Sequence, residues 1–337
     1  MSLPTRKIGN TDVTAIGYGA MGIAAFYGQV QSDEERFKFL DALYESGCTN
    51  WDTADIYGDS EDLIGKWFKR TGKRSEIFLA TKFGVTIGTG KPITGDPEYV
   101  KAACEKSLKR LGVDQIDLYY LHRADQTVPI EKTVGAMAEL VKEGKVKYIG
   151  LSEVSEKTLR RAHAVHPISA LQVEYSPFFL DIERPNVGLL SACRELGIAV
   201  VAYSPLGRGL LTGRYKSPED FEEGDFRRSV PKFSKENFPN ILKVVDEIKA
   251  AGEAHGAPPS TTALAWLLAQ GNDIIPIPGT RSVKYLHENV AACKLELSSE
   301  EVKTLRDIAE RAEKTVGGDR YPGGAMMEIL FADTPEL

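Results

Sequence analysis

Short apolar runs alternate along this chain with amphipathic stretches, and the alternation recurs from one end almost to the other. Apolar runs at 13–16, 77–81, 116–121, 146–152, 170–173, 198–203 and 274–277, and one ending at Asp52, have the length of strands. Several are nearly continuous in apolar residues, as parallel strands buried on both faces should be. Between them the period changes to that of a helix. After Ser32, whose hydroxyl forms a capping-box pattern with Glu35, the residues Phe37, Leu40, Leu43 and Tyr44 share one face up to Gly47. Leu63, Ile64, Trp67 and Phe68 mark a second helix, and Val100, Cys104, Leu108 and Leu111 a third, between Pro97 and Gly112. Further helical stretches run from Pro129 to Gly144, around Leu159 and up to Gly197. Eight strands strictly alternating with helices predict an α/β fold, a (β/α)8 TIM barrel forming one domain over residues 1–337.

Two stretches break the rhythm. Residues 207–240 are charged and aperiodic, and a loop that long inside a compact domain is commonly functional, for instance a lid. From Gly317 onward the chain is rich in Gly and Pro and reads as a wrapping tail. Gly17, Gly19 and Gly22 also spell a formal G-x-G-x-x-G. No helix opens directly behind it, so we read these glycines as a tight loop over a ligand and not as a dinucleotide-binding turn.

Composition narrows the class. An apolar fraction of 42% supplies a sizeable core. The net charge of -6 comes from interspersed charges with no basic block, which argues against a nucleic-acid partner. Cys48, Cys104, Cys193 and Cys293 are dispersed, without metal-ligand spacing, and suit a reducing compartment. The first residues lack a signal-peptide core, and no apolar run has the roughly 20 residues a membrane span needs. A cytoplasmic protein with no membrane association is expected; the oligomeric state is not readable.

In a barrel of this kind the loops after the strands build the active site. The polar residues delivered there are Asp52 with Tyr57 just behind it, Lys82, His122, Ser152 with Glu153, Gln172, and Tyr203 with Ser204. Asp52, Tyr57, Lys82 and His122 are the candidate catalytic residues. A free phenol titrates near 10, too high to trade protons efficiently at neutrality; an adjacent ammonium lowers it, and a carboxylate holds that ammonium. An imidazole beside them can donate to a carbonyl oxygen. Such a group can protonate a carbonyl oxygen, but no side chain donates hydride, so a cofactor is required. Phe26, Tyr27, Phe83 and Phe178 fall in nearby loops as candidate pocket walls. His163 and His166 are spaced like a metal pair but have no third ligand, so no metal is expected.

The segments Asp52-Thr-Ala-Asp-Ile-Tyr57-Gly, Ala-Thr-Lys82-Phe-Gly and Leu-Tyr-Tyr-Leu-His122-Arg resemble the tetrad motifs of the aldo-keto reductases. Gly-Leu-Ser152-Glu153, Leu-Gln172-Val-Glu-Tyr-Ser, Tyr203-Ser204-Pro205-Leu206-Gly207-Arg-Gly209 and Ile277-Pro-Gly279-Thr280-Arg281 resemble that family too, in its order. The resemblance implies a barrel that binds NADP(H) without a Rossmann fold and reduces an aldehyde or ketone, in the manner of the pyridoxal and aryl-aldehyde reductases. It implies that Tyr203 stacks on the nicotinamide while Ser152, Glu153 and Gln172 hold its carboxamide. Gly19, Ala20 and Met21 would also touch the cofactor. Ser204, Pro205, Leu206, Gly207 and Gly209 would follow the pyrophosphate. Ile277 and Gly279 would touch the cofactor, Thr280, Arg281 and Ser282 would surround the adenosine phosphate with Tyr285 facing the 2′-phosphate, and Glu288 and Asn289 would lie near the adenine. The residues themselves agree, since an Arg and two hydroxyls at a helix start make a phosphate site.

The chain departs from the family pattern in two places. Many relatives carry Asn where Glu153 stands, and a carboxylate cannot donate to a carboxamide oxygen. Tyr285 replaces a common Arg, which leaves Arg281 as the main charge for a 2′-phosphate. Substrates of several kinds fit the motifs: small or aromatic aldehydes, pyridoxal and α,β-dicarbonyls. A rival from another class is a cofactor-sensing regulatory subunit, like the β subunits of potassium channels. A metal-dependent barrel hydrolase finds no ligand cluster at the strand ends.

Overall fold

The computed structural model describes residues 2–86 and 90–337. The chain opens with an antiparallel hairpin of β1 (Thr5–Ile8) and β2 (Thr11–Thr14). Eight parallel strands follow: β3 (Tyr18–Gly19), β4 (Asn50–Asp52), β5 (Phe78–Phe83), β6 (Ile116–Leu121), β7 (Val146–Ser152), β8 (Ala170–Glu174), β9 (Ala199–Tyr203) and β10 (Ile274–Pro276). Their order across the sheet is their order along the chain. The sheet closes on itself where Gly17 N donates to Pro276 O at 2.9 Å and Gly19 N to Pro278 O at 3.3 Å. The result is the parallel barrel that the alternation predicts.

One strand is not where the hydrophobic pattern put it. Residues 11–14 belong to the hairpin, and the first barrel strand is the two-residue β3, beyond the expected 13–16. Ile8 and Val13 point inward from the hairpin and pack beneath Phe78, Leu118, Ala199 and Ile275, which fill the barrel's lower interior. The apolar signal at 13–16 therefore marks a floor and not a stave. The glycines that follow serve the seam. A Cβ on Gly17 would lie 2.9 Å from Asn50 O, and one on Gly19 2.7 Å from Ile277 O. Small residues there let the first and last strands meet, which corrects the reading of Gly17 and Gly19 as simply a loop over a ligand.

The helices stand outside the barrel as the 3.6-residue period predicts. Helix Asp33–Glu45 begins at Ser32 with its capping box formed, and helix Pro97–Leu111 ends on Gly112 in the left-handed conformation. Helix Ser60–Thr71 brings Trp67 against Trp51, their ring centroids 4.8 Å apart, within the apolar layer between helices and sheet.

The irregular stretch resolves into short 3₁₀ turns (Gly207–Thr212, Pro218–Asp220, Phe226–Ser229, Pro231–Phe233) before helix Phe238–Glu253. Arg227 gathers it: the guanidinium pairs with Asp225 at 2.6 Å, donates to Arg208 O at 2.9 Å, and lies over the rings of Tyr27, Tyr215 and Phe221. The tail returns over the strand ends, where Gln126 donates to Glu328 O at 3.0 Å and Ser155 N to Ala332 O at 3.1 Å. No helix among the described residues is long and apolar enough to cross a membrane.

Helix Ser60–Thr71 tests packing against propensity. A Cβ on Gly65 would sit 2.5 Å from Arg110 O and 2.8 Å from Leu111 O, backbone atoms at the end of the neighbouring helix. Alanine is the better helix former by up to about 1 kcal/mol, but overpacking against fixed backbone costs roughly 1–3 kcal/mol. Gly65→Ala is therefore expected to lower stability by about 1–2 kcal/mol, read as a lower urea midpoint with an unchanged slope.

Candidate active site

The upper ends of β4, β5 and β6 converge on one cluster. Asp52, the last residue of β4, and Lys82, within β5, form an ion pair that is almost wholly inaccessible to solvent. The Lys82 ammonium also donates to Thr53 O at 2.9 Å and reaches the Tyr57 hydroxyl at 3.4 Å. The second Asp52 oxygen accepts from Gln172 Nε2 at 2.7 Å, so the carboxylate is held from both sides. The His122 ring meets Tyr57 edge-on, with centroids 5.8 Å apart. All four candidate catalytic residues thus form one chain of contacts. Asp52, Tyr57 and His122 line the cavity, and Lys82 stands behind them.

Their protonation follows from burial. Burial raises the Tyr57 phenol above its ordinary value; Lys82 pulls it down and Asp52 pushes it up, and the net direction is upward. This corrects the expectation that the ammonium lowers it: Lys82 limits the rise and does not reverse it. Tyr57 is therefore a protonated phenol at neutral pH. Burial, aided by the nearby Arg123 and Lys82 cations, holds His122 well below 6.5, so its imidazole is neutral. Desolvation works against the Lys82 charge, but Asp52 and Tyr57 overcome it and keep the ammonium protonated.

β7, β8 and β9 build the adjoining wall. Ser152 closes β7 and accepts from Arg123 Nη1 at 3.2 Å, which leaves its own O–H free to donate into the cavity. Gln172 commits its amide NH₂ to Asp52, leaving its carbonyl as an acceptor. Those two atoms are the donor and acceptor that a carboxamide requires.

Glu153 is placed differently. It has a left-handed φ of 53° and is fully buried off the cavity wall, with both oxygens taken. One accepts from Glu174 N at 3.0 Å and from the Tyr203 hydroxyl at 2.8 Å; the other accepts from Arg320 at 3.0 Å. Burial opposes its charge, but Arg320 and Arg123 outweigh that and hold it below the usual carboxylate range. Glu174 in turn pairs with Arg208 at 3.1 Å and Arg320 at 3.5 Å. Two buried carboxylates and two buried guanidiniums thereby join the strand ends to the 207–212 turn and the tail.

The cavity has a volume of about 1170 Å³ and runs from Tyr57 and His122 past Tyr203 to the last strand. It exceeds the roughly 300–1,000 Å³ of ordinary small-ligand pockets and has room for a dinucleotide and a second molecule. Gly19, Met21, Ser204, Pro205, Leu206, Gly209, Ile277 and Gly279 line it, as do Thr280, Arg281, Ser282, Tyr285, Glu288 and Asn289. Ala20 and Gly207 lie behind its surface. Thr280, Arg281 and Ser282 precede helix Val283–Ala291, whose free N–H groups favour an anion. Arg281 also donates to Gln29 O at 2.6 Å across the groove. The residues present fit a nicotinamide dinucleotide: a carboxamide-matched end beside Tyr57, and a cationic end at a helix start.

Phe26 and Tyr27 line the cavity, whereas Phe83 and Phe178 are buried in the packing core. His163 accepts from Ile168 N at 3.2 Å and His166 turns to Pro167 O at 3.0 Å, so both serve local chain geometry. Sequence reasoning passed over Arg123, Glu174 and Arg208 although each sits inside a motif already singled out. Arg320 and Tyr321 carry no local signal, since only the return of the tail brings them to Glu153 and Tyr203.

Comparison with known proteins agrees with this geometry. Residues 15–310 match the model of the aldo/keto reductase family. The aldo-keto reductase str7 of Strobilurus tenacellus is 62% identical, over 100% of this chain and 99% of that protein. The aldo-keto reductase yakc of Schizosaccharomyces pombe, whose name specifies NADP(+), is 54% identical over 100% and 99%. Among solved structures, a thermostable aldo-keto reductase in complex with the inhibitor epalrestat superposes with a TM-score of 0.74 at 31% identity, covering 91% of this chain and all of that one. The glycerol dehydrogenase of Gluconobacter oxydans gives a TM-score of 0.83 at 27% identity, covering 96% and 99%. With the barrel, the buried acid–lysine–phenol cluster and these full-length matches in hand, the chain belongs to the aldo-keto reductase family.

Proposed function

We propose that this protein reduces an aldehyde or ketone to an alcohol with NADPH, using Tyr57 as the general acid. The observation that carries the reading is the contact chain Asp52–Lys82–Tyr57 with neutral His122 at the inner end of a dinucleotide-sized cavity. The bound dinucleotide supplies hydride from its nicotinamide ring. Everything else is done by the chain. Ser152 and Gln172 orient the carboxamide, and Tyr203 provides the flat surface beside it. A substrate carbonyl between Tyr57 and His122 receives hydrogen bonds from both, which polarises it. Tyr57 then transfers its proton to the carbonyl oxygen, and the phenolate left behind is stabilised by the Lys82 ammonium, which Asp52 fixes in place.

Thr280, Arg281 and Ser282 favour NADPH over NADH, and the NADP(+) in the name of the yakc relative supports the same choice. Phe26, Tyr27, Phe226 and Tyr321 around the cavity support an aromatic carbonyl substrate, in keeping with the aryl-aldehyde and pyridoxal reductase branch. Four free cysteines, three of them buried, are consistent with a cytoplasmic setting.

Tyr57→Phe removes the proton donor and keeps the ring. Aldehyde-dependent NADPH oxidation should fall by about 10²- to 10⁴-fold, with NADPH affinity by fluorescence titration held within a few-fold. Unchanged turnover would refute the assignment. Wild-type protein that binds NADPH yet oxidises it with no carbonyl would instead favour the sensor reading. The pH profile carries a second expectation. Because burial keeps His122 neutral well below 6.5 and raises the phenol above 10.0, kcat/KM should show no inflection near 6.5 and should decline only in the alkaline range. Arg281→Met should cut the NADPH-over-NADH preference by about 10-fold or more, measured as the ratio of the two dissociation constants, because it removes a charge-assisted phosphate contact.

A further inference from the structure

Among the described residues of the upper barrel, the Arg123 guanidinium makes no direct ion pair. Arg123 follows His122 directly, is 7% exposed and lines the cavity. Nη1 donates to His122 O at 2.7 Å and to Ser152 Oγ at 3.2 Å. Its buried Nε–H has no acceptor, and among the described residues neither Nε nor Nη2 makes a hydrogen bond and Arg123 makes no ion pair.

The neighbouring carboxylates are already matched. Asp52 is paired with Lys82, while Glu153 and Glu174 are shared between Arg320 and Arg208. Around what remains lie the phenols of Tyr57, Tyr203 and Tyr321 and the already shared Glu153, all close enough to affect the Arg123 charge; burial keeps Tyr57 and Tyr203 protonated at neutral pH. A buried cation whose one nearby carboxylate is bonded to another guanidinium is incompletely compensated, which is costly. The cost is offset when the anion arrives with a ligand. The cofactor phosphates have candidate residues of their own in the cavity wall, Ser204–Gly209 and Thr280–Ser282, the latter at the start of helix Val283–Ala291.

We propose that Arg123 binds a carboxylate carried by the substrate, so that the preferred carbonyl compounds are oxo-acids whose acid group sits beside the reacting carbonyl. The inference rests on the reductase reading above and narrows its substrate class. A planar guanidinium with unpaired N–H donors is matched to a carboxylate's two oxygens. Placed one residue from His122, it fixes the acid while Tyr57 and His122 hold the carbonyl, so one end of the molecule anchors and the other reacts.

The test compares 2-, 3- and 4-formylbenzoate with the corresponding neutral formylbenzamides of nearly the same shape, in wild type, Arg123→Met and Arg123→Lys. In wild type at least one formylbenzoate should exceed its amide in kcat/KM by about 10- to 100-fold, mainly through a lower KM. Arg123→Met should bring that ratio to about one, and Arg123→Lys should keep part of it. NADPH titration by fluorescence verifies that each variant is folded.

Reduction of the amides by wild type, with no acid preferred in any isomer, would overturn the carboxylate assignment and leave the reductase standing. An acid preference that survives in Arg123→Met, or a loss of NADPH affinity of about 10-fold or more with the ratio intact, would overturn it as well. Failure of wild type to reduce any of the six compounds, or any other aldehyde, would take down the reductase reading beneath it.

Discussion

Lys82 is a full positive charge with no access to solvent, and most of the upper barrel is arranged around keeping it there. A buried ammonium survives only when paired and hydrogen-bonded. Asp52 supplies the charge, Thr53 O a second acceptor, and Tyr57 a third contact. Asp52 in turn needs Gln172 to satisfy its remaining oxygen. One lysine thus recruits three strand ends, and the residue that finishes the sequence of contacts on the solvent side is the phenol. The electrostatic need of the core and the chemical need of the site are met by the same atoms.

A second buried charge cluster holds the other half of the mouth. Glu153 and Glu174 leave β7 and β8 pointing at Arg208 and Arg320, which arrive from the 207–212 turn and the C-terminal tail. The Tyr203 hydroxyl lies between them, bonded to Glu153 and 3.2 Å from the Tyr321 hydroxyl. The aromatic surface of the cavity is thereby fixed in part by Glu153, Glu174 and Arg320, which do not themselves line it. Glu153 serves this scaffold and does not face the cavity, whose wall at that level is formed by Ser152, held by Arg123, and Gln172, held to Asp52.

The barrel was legible because its strands are buried on both faces and its helices on one, so the period of apolar residues changes at each junction. The cluster around Lys82 was legible because Asp52, Lys82 and His122 are polar residues at the ends of apolar runs. The displaced first strand shows the limit of that signal. Val13 is apolar because it floors the barrel, and β3 is too short and too glycine-rich to carry a hydrophobic signature. The partners of Glu153 were illegible for a different reason. Arg320 comes from far along the chain, and no local pattern states which buried acid it will meet. The net direction of the Tyr57 shift likewise needed the extent of burial, which the sequence does not state.

The glycine seam has a consequence for how the site comes into being. β3 and β10 lie near opposite ends of the chain, yet the barrel closes only where Gly17 and Gly19 donate to Pro276 and Pro278. Ile277, Gly279 and Thr280, which follow the last strand, line the same cavity as Gly19 and Met21. During synthesis the early strands can pair with their neighbours long before β10 exists, but the groove has no second wall until it does. Contacts of such sequence separation are slow to form. The binding groove is consequently a late product of folding, and a nascent chain stopped short of the last strand already contains Asp52, Tyr57, Lys82 and His122 without having a place for anything to bind.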